Sequence, residues 1–302
     1  MEKTEIDSYI KAGGIAKEVK KFALDLIKPG MKLIDIAESI DAKIIELGGN
    51  FAFPVNLSLN EYAAHYTPAS GDETIAEGIL KVDIGIAVDG FIADTALSID
   101  LTEDGKFKDM MELNKKVLQA ASEVVRPNME VRDIGNACQD TLDKWNLEND
   151  SQFSIISGLC GHSLGKDKIH AGLTISNCRN DNNKILNDMA FAIEPFVTTG
   201  IGEIHEGAPG GIYVLKSDTN IRDRDAREVL KFIKETFRTR PFCMRWLEKE
   251  NFGRLKFILN ILVKQGILYE YPILVEKSKA PVSQFENTFV VANDEVKVTT
   301  EL

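Results

Sequence analysis

Two aspartates, Asp83 and Asp94, lie in the apolar segment KVDIGIAVDGFIADTALSI at residues 81–99. The Asp89-Gly90 pair at its centre favours a two-residue type I′ turn, so the segment predicts a β-hairpin. That register places both aspartates on one face as diagonal neighbours, roughly 7–8 Å apart. Carboxylates buried among Val, Ile and Ala need positive charge between them, and a metal pair would provide it. The alternative is two solvated aspartates on the polar face of a surface hairpin.

One histidine and two glutamates have neighbours that suit the same chemistry. His162 lies among small residues in GLCGHSLG, where the backbone can approach a bound group closely. Glu194 interrupts the apolar run at 188–198, and Glu286 precedes the apolar end of 283–292. A glutamate in such a run is rarely buried unless it is paired or binds a metal. A structural histidine and glutamates paired with arginines are the alternatives.

Taken together, the candidate ligands are four carboxylates and one imidazole, from Asp83, Asp94, His162, Glu194 and Glu286. An oxygen-rich set suits Mn²⁺, Fe²⁺ or Co²⁺ better than a thiolate zinc site does. Four carboxylates balance the charge of two divalent ions, and bridging carboxylates hold the ions close enough to share one hydroxide. The set therefore predicts a dinuclear metal centre with a nucleophile available near neutral pH.

A repeated helix junction indicates that the chain contains an internal duplication. LIKPGMKLIDIA at 26–37 and VVRPNMEVRDIG at 124–135 share Pro, Met, Asp and Ile at positions offset by 98 residues. The match predicts two half-domains related by a pseudo-twofold axis, with a site at their junction. A chance match at a common proline-terminated helix end is the alternative.

Hydrophobic periodicity predicts the elements that position these residues. Helices are expected at 5–28, 35–47, 107–125 and 133–145. Strands are expected at 51–58, at 80–88 and 91–99 in the hairpin, at 188–198 and at 283–292.

The composition shifts in the segment before Glu286. Residues 222–277 contain 13 Lys and Arg against 8 Asp and Glu. Three short predicted helices and an extended ribbon (225–237, 241–248, 254–264, 267–275) resemble a winged-helix module. We predict a catalytic domain formed by 1–217 and 278–302, with an inserted winged-helix-like subdomain at 218–277. Its basic character indicates either RNA contact or a solvated face on a structural insert, and the solvated face is favoured.

Bulk composition excludes several classes of protein. The 302 residues carry a formal net charge of −11, which argues against a nucleic-acid binder as a whole. No apolar run is long enough to cross a bilayer, and the N-terminus does not resemble a signal peptide. The four cysteines lack close spacing, which is typical of free thiols in a reducing compartment. We expect a cytoplasmic monomer with no membrane partner.

Four motifs carry a resemblance to a known family: KVDIGIAVDGFIADTA, GLCGHSLGKDKIHAG, AIEPF and SQFENT. They resemble those of the methionine aminopeptidases, which share a pita-bread metallopeptidase fold with prolidase and creatinase. The segment before Glu286 is similar to the insert of the type 2 enzymes, and the chain looks like a compact archaeal-type version. The resemblance implies an α+β pita-bread fold with an internal pseudo-twofold duplication and an inserted helical subdomain.

The resemblance also implies a role for each matching residue. The five candidate ligands would bind two divalent ions, whether Co, Mn, Fe(II) or Zn. Glu194 would also act as general base or proton shuttle, and His170 would stabilise the tetrahedral intermediate. His65 would lie beside the scissile amide nitrogen. The substrate-binding set would be Phe53, His65, Ile169, His170 and Tyr271.

The reaction implied by the resemblance is removal of the initiator methionine from nascent chains whose second residue is small, by hydroxide attack. The partners would be nascent polypeptides and, through the basic insert, the ribosome. Two alternatives remain open at this stage. One is an Xaa-Pro dipeptidase of the same fold, and the other is a non-catalytic pita-bread scaffold that binds RNA or protein.

Overall fold

The computed structural model describes residues 1–219 and 221–302. Helices and strands occur in separate runs along the chain, as expected for an α+β protein. The helices are α1 (Lys3–Leu26), α2 (Leu33–Glu46), α3 (Lys108–Val124), α4 (Arg132–Asn149), α5 (Arg224–Thr236), α6 (Met244–Glu248) and α7 (Leu255–Lys264).

The strands up to residue 176 are β1 (Asn50–Leu59), β2 (Tyr62–Ala64), β3 (Ile79–Val88), β4 (Phe91–Asp100), β5 (Met129–Glu130), β6 (Ser154–Ile155), β7 (Cys160–Leu164) and β8 (Thr174–Ser176). Those that follow are β9 (Ile185–Leu186), β10 (Met189–Ile193), β11 (Phe196–Thr198), β12 (Ile204–Leu215), β13 (Phe242–Cys243), β14 (Leu268–Glu276), β15 (Val282–Gln284), β16 (Asn287–Ala292) and β17 (Glu295–Val298).

Two sheets carry three of the candidate ligands, Asp83, Asp94 and His162, and adjoin the two glutamates. One has the order β1-β3-β4, and the other has the order β17-β16-β10-β7-β8. Helices α1 and α2 pack together beside the first sheet, and α3 and α4 form a second pair. Apolar faces of all four helices join both sheets in one large hydrophobic core. The shared core holds the two sheets together, so that ligands from both sheets can meet at the junction between them.

The predicted hairpin is present with the predicted register. Gly85 pairs with Asp94, and Asp83 pairs with Ala96. The two turn residues both have positive φ, 52° at Asp89 and 86° at Gly90, as a type I′ turn requires. Because a two-residue turn leaves no freedom in the pairing, the turn sequence alone determined the common face of the two aspartates.

The internal duplication is visible in matched contacts. The sulfur of Met31 accepts a hydrogen bond from the Lys28 backbone N–H at 3.3 Å, and the sulfur of Met129 accepts one from Arg126 at 3.3 Å. The residue before each methionine has positive φ, 82° in the first turn and 62° in the second. Each turn joins two packed helices. The same local structure thus begins both halves of the fold.

Two long predicted strands are each broken in the structure. The run at 188–198 is divided into β10 and β11, and the run at 283–292 into β15 and β16. Strands β10 and β16 pair in the five-stranded sheet, whereas β11 and β15 pair in a separate three-stranded sheet. Glu194 and Glu286 lie at the two breaks. Continuous strands were therefore the wrong expectation, because the chain changes sheets at each glutamate.

A second hydrophobic core lies within residues 221–268. It includes the three predicted helices, but the second is shorter than expected because Phe242 and Cys243 pair with β12. Strand β14 also pairs with β12, and its far end reaches β2. The domain boundaries at 217 and 278 and the winged-helix comparison stay predictions. Among the described residues, every helix is too short or too polar to cross a bilayer.

Adjacent glycines in α1 provide a stability test of the packing between the helix and the C-terminal segment. A Cβ on Gly13 would lie 2.4 Å from the carbonyl oxygen of Thr299, whereas a Cβ on Gly14 would meet nothing within 4 Å. We expect Gly13→Ala to lower the free energy of unfolding by about 1–3 kcal/mol through overpacking. Gly14→Ala is the matched control and should raise it by up to about 1 kcal/mol through helix propensity. Equal effects in denaturant titrations would contradict this packing.

Candidate metal centre

All five candidate ligands converge at the junction of the two sheets. Side-chain ligand atoms of Asp94, His162 and Glu286 lie within 4.8 Å of one another, and all three residues are buried. The Nε2 atom of His162 is 3.5 Å from Oδ2 of Asp94 and 3.5 Å from Oε1 of Glu194. Asp83 lies near enough to Asp94 for the two charges to interact. The structure thus brings together residues separated by up to two thirds of the chain.

Hydroxyl groups join the ligand-bearing strands to each other. The backbone N–H of Asp94 donates to Oγ1 of Thr288 at 2.8 Å, and that hydroxyl donates back to the Asp94 carbonyl at 2.7 Å. The Thr95 hydroxyl donates to the carbonyl of Glu286 at 2.7 Å, and the Glu286 N–H donates to the carbonyl of Ala96 at 3.0 Å. These four hydrogen bonds fix the position of the β3–β4 hairpin relative to the break between β15 and β16, where Glu286 lies.

Several buried polar atoms in this cluster have no hydrogen-bond partner within the described part of the chain. They are Oδ1 of Asp83, both carboxylate oxygens of Glu286 and Nδ1 of His162. A buried polar group without a partner costs about 1–3 kcal/mol, and more if it is charged. The unpaired atoms are carboxylate oxygens and an imidazole nitrogen, which are the donors that divalent cations accept. The residues therefore fit a bound metal.

The pKa values of these residues in the metal-free protein also favour a bound cation. Burial raises the pKa of Asp83 to about 7. Burial, followed by the neighbouring carboxylates, raises the pKa of Asp94, Glu194 and Glu286 well above the usual range. Burial and then His170 lower the pKa of His162 to about 3, so its imidazole is neutral and can bind a metal. Without added positive charge, the cluster has to retain protons.

A cavity of about 470 Å³ opens onto the cluster. The His170 ring lies 4.4 Å from the His162 ring, and the His65 ring lies 5.2 Å from that of Tyr271, measured between centroids. Burial lowers the pKa of His65 to about 4 and also lowers that of His170. The cavity is lined by each residue proposed from the sequence to bind substrate, namely Phe53, His65, Ile169, His170 and Tyr271. Glu286 lies behind the cavity wall.

Three polar residues at the site escaped prediction from the sequence. The Gln284 side-chain amide lies 3.4 Å from Oε2 of Glu194. Thr288 holds Asp94, as described above, and Asn56 accepts a hydrogen bond from the His65 N–H at 2.9 Å. Gln284 and Thr288 stand two residues before and after Glu286, so strand alternation offered a signal. Strand alternation could not predict the role of Asn56, because its hydrogen-bond partner, His65, lies beyond the turn between β1 and β2.

The fold and this carboxylate-rich site define a metallopeptidase. Residues 7–265 match metallopeptidase family M24, and the chain belongs to that family. Its curated relatives include the methionine aminopeptidase of Pyrococcus abyssi, which is 45% identical over 98% of this chain and 100% of the relative. The methionine aminopeptidase of Pyrococcus horikoshii is 44% identical over 98% of this chain and 100% of the relative. The family resemblance carried by the four motifs is thereby confirmed.

Solved structures share the pita-bread fold. A thermophilic Arx1 superimposes with a TM-score of 0.83 at 18% identity, covering 99% of this chain and 91% of that chain. The methionine aminopeptidase of Rickettsia prowazekii gives a TM-score of 0.70 at 19% identity, covering 100% and 98%. The prolidase of Pyrococcus furiosus gives 0.61 at 15% identity, covering 100% of this chain but 65% of that chain. The predicted fold class is confirmed by these matches.

Metal binding should release protons from the cluster. The raised carboxyl pKa values mean that the metal-free folded protein still holds protons at pH 6, and Asp83 with its pKa of about 7 is mostly protonated there. A divalent ion has to displace those protons, so affinity for Mn²⁺ should rise from pH 6 to pH 8. Titration calorimetry at pH 6 in two buffers of different ionisation enthalpy measures the release. A heat independent of the buffer would contradict the linkage.

Proposed function

We propose that this chain is a methionine aminopeptidase, which removes the N-terminal methionine from polypeptides whose second residue is small. One observation carries the proposal: a cluster of buried carboxylates and one imidazole, several of whose polar atoms have no partner among the described residues, borders a cavity lined by His65, His170 and apolar side chains. Membership of a metallopeptidase family implies divalent metal as cofactor. The methionine aminopeptidase relatives match over their whole length, which supports the choice of substrate.

In this proposal two divalent ions are held by Asp83, Asp94, His162, Glu194 and Glu286. The number of ions is supported by charge, because four carboxylates balance two divalent cations. Bound ions lower the pKa of water and polarise a peptide carbonyl. The oxygen-rich donors favour Mn²⁺, Fe²⁺ or Co²⁺, and one imidazole also permits Zn²⁺.

Glu194 is the proposed general base. Its Oε1 is near His162, its other oxygen faces the Gln284 amide, and the residue lines the cavity where substrate would lie. A carboxylate at the edge of the cluster can accept a proton from attacking water and return it to the leaving amine. Glu286 lacks this access because it lies behind the cavity wall.

His65 and His170 are the proposed donors to the reacting peptide. Their lowered pKa values keep both imidazoles neutral near pH 7, so each can donate an N–H without carrying charge. Such donors stabilise charge that develops on the carbonyl oxygen and on the leaving nitrogen. The apolar walls beside them, Phe53, Ile169 and Tyr271, suit an unbranched thioether side chain.

The two alternatives from the sequence have less support. A dipeptidase of the prolidase kind shares the fold, but this chain spans 65% of the Pyrococcus furiosus prolidase and 100% of the Pyrococcus abyssi methionine aminopeptidase. In a non-catalytic scaffold, the buried carboxylates without partners would lower the stability of the fold and would serve no reaction. Ribosome contact, a monomeric state and a cytoplasmic location stay predictions.

The direct test is release of methionine from a tripeptide. Metal-stripped protein with Mn²⁺, Co²⁺, Fe²⁺ or Zn²⁺ added back should release methionine from Met-Ala-Ser. It should leave Leu-Ala-Ser and Ala-Pro intact, because the apolar lining of the cavity suits the unbranched side chain of methionine. Free amino acids are quantified by chromatography. Cleavage of Ala-Pro would move the assignment to the dipeptidases, and metal binding without any cleavage would overturn the proposed substrate.

Substitution of the proposed base should abolish turnover without unfolding the protein. We expect Glu194→Ala to lower kcat by about 10²–10⁴-fold, which is the contribution of a positioned acid–base group. The melting temperature of the metal-free protein should not fall, because the substitution removes one of several repelling carboxylates. Glu203→Ala, at an exposed glutamate, is the control and should keep full activity. Retained peptidase activity in Glu194→Ala would contradict the mechanism.

A further inference from the structure

Both loops that carry the cavity histidines are bound by side chains of one short segment, residues 238–246. This segment belongs to the insert predicted from the sequence at 218–277. His65 lies in the loop after β2, and His170 lies in the loop between β7 and β8. His65 itself meets the insert, because its ring lies 5.2 Å from that of Tyr271. The contacts from residues 238–246 are made to neighbouring residues in each loop.

The first set of contacts, the Arg245 network, comprises Arg245, Asp41, Trp246, Thr67 and Pro68. The Arg245 side chain is 1% exposed, and its Nε donates to the Pro68 carbonyl at 2.9 Å. Its Nη1 donates to Oδ2 of Asp41 at 2.8 Å, and the same oxygen accepts from the Trp246 indole N–H at 2.8 Å. Its Nη2 lies 3.5 Å from the Thr67 hydroxyl. One buried guanidinium therefore ties the insert to the chain two and three residues after His65.

The second set, the Asp167 network, comprises Asp167, Arg238, Thr239, Arg240 and Gly90. Oδ2 of Asp167 accepts from Arg238 at 2.6 Å, and its Oδ1 is 3.2 Å from Nε of Arg240. The Thr239 hydroxyl donates to the Asp167 carbonyl. The Asp167 N–H donates to the carbonyl of Gly90, at the hairpin turn, at 2.7 Å. Asp167 thus connects the insert, the hairpin and the loop that reaches His170 three residues later.

The backbone in both loops needs such support. His65 and Asp167 have φ of 67° and 55°, in the left-handed region that non-glycine residues adopt at a cost. Such conformations persist only when the surroundings determine them strongly. The insert provides part of that determination, because each loop is bound by side chains from residues 238–246 in addition to its other hydrogen bonds.

We propose that the insert positions the two cavity histidines through the Arg245 and Asp167 networks, so that Arg245 and Asp167 are positioning residues for the reaction. This inference rests on the proposed function, since it assigns the insert a part in peptide hydrolysis. It gives the insert a role within the active site that does not depend on its basic surface. Pro241, between the two networks, itself lines the cavity.

The Asp167 network is tested by Asp167→Asn in the metal-loaded protein. Asparagine tolerates positive φ and has nearly the same shape, so the substitution removes the negative charge that pairs with Arg238 and Arg240 and one of the two acceptor oxygens. A displacement of a reacting group by 1 Å can cost about 100-fold, and we expect kcat for Met-Ala-Ser to fall at least tenfold. The matched control is Asp225→Asn, which removes an insert ion pair with Arg254 at 3.7 Å that touches neither loop. It should leave kcat within twofold.

A double-mutant cycle separates positioning from general destabilisation. If Asp167 acts through His170, then Asp167→Asn should have little further effect on kcat in a His170→Ala background. A role in stability alone would lower kcat by the same factor in both backgrounds, and that result would overturn the proposal. Calorimetric Mn²⁺ binding should be unchanged in Asp167→Asn, whereas loss of metal would also overturn it.

The Arg245 network is tested in the same way with Arg245→Lys and His65→Ala. Lysine keeps the charge that Asp41 requires, because removing it outright would leave a buried unpaired carboxylate and endanger folding. Lysine cannot reproduce the bidentate fork, so the bonds to Thr67 and Pro68 should weaken. We expect kcat to fall at least tenfold in the native background and to change little in the His65→Ala background. Additive losses would overturn this half of the proposal.

Hydrogen exchange provides a readout that does not depend on the reaction. Amides within 60–68 should exchange at least tenfold faster in Arg245→Lys, and amides within 165–171 in Asp167→Asn, each without effect on the other loop. Unchanged exchange would overturn the inference even if methionine release is observed. Failure of the native protein to cleave Met-Ala-Ser, together with faster exchange in the variants, would instead overturn the proposed function and leave the positioning by the insert in place.

Discussion

Burial of negative charge is the constraint on which this structure depends. Four carboxylates meet around one neutral imidazole, and several of their oxygens have no partner among the described residues. The fold holds the carboxylates together with threonine hydroxyls and backbone groups, none of which neutralises them. The cluster therefore leaves a concentration of negative charge that a bound cation would neutralise. The cavity, His65, His170 and the insert all lie around this carboxylate cluster.

Duplication explains how the cluster can be so compact. The two aspartates come from adjacent strands of one hairpin, and the two glutamates lie where paired strands leave one sheet for another. A site at the junction of two similar halves can receive ligands from four directions without a long loop. The insert adds the remaining wall and lies against both histidine loops.

Local rules predicted much of the site and part of the fold. The Asp89-Gly90 turn was sufficient for the hairpin register, and the offset of 98 residues revealed the duplication. The breaks at Glu194 and Glu286 were not predictable, because an apolar run gives no sign that it passes from one sheet to another. Arg245 and Asp167 were also beyond reach, since their partners lie far away in sequence. Assignment of the histidines and the apolar pocket required the family resemblance.

The order of the five-stranded sheet bears on how the protein is made. Strand β16 lies between β10 and β17, and Glu286 immediately precedes it. Until that strand has been synthesised and has paired, β10 presents an open edge, and the cluster lacks one carboxylate and the hydroxyl that holds Asp94. These pairings join distant parts of the chain and close late in folding. A protein proposed to act on nascent chains would thus itself lack a complete ligand set until residues 287–292 have been synthesised and have paired.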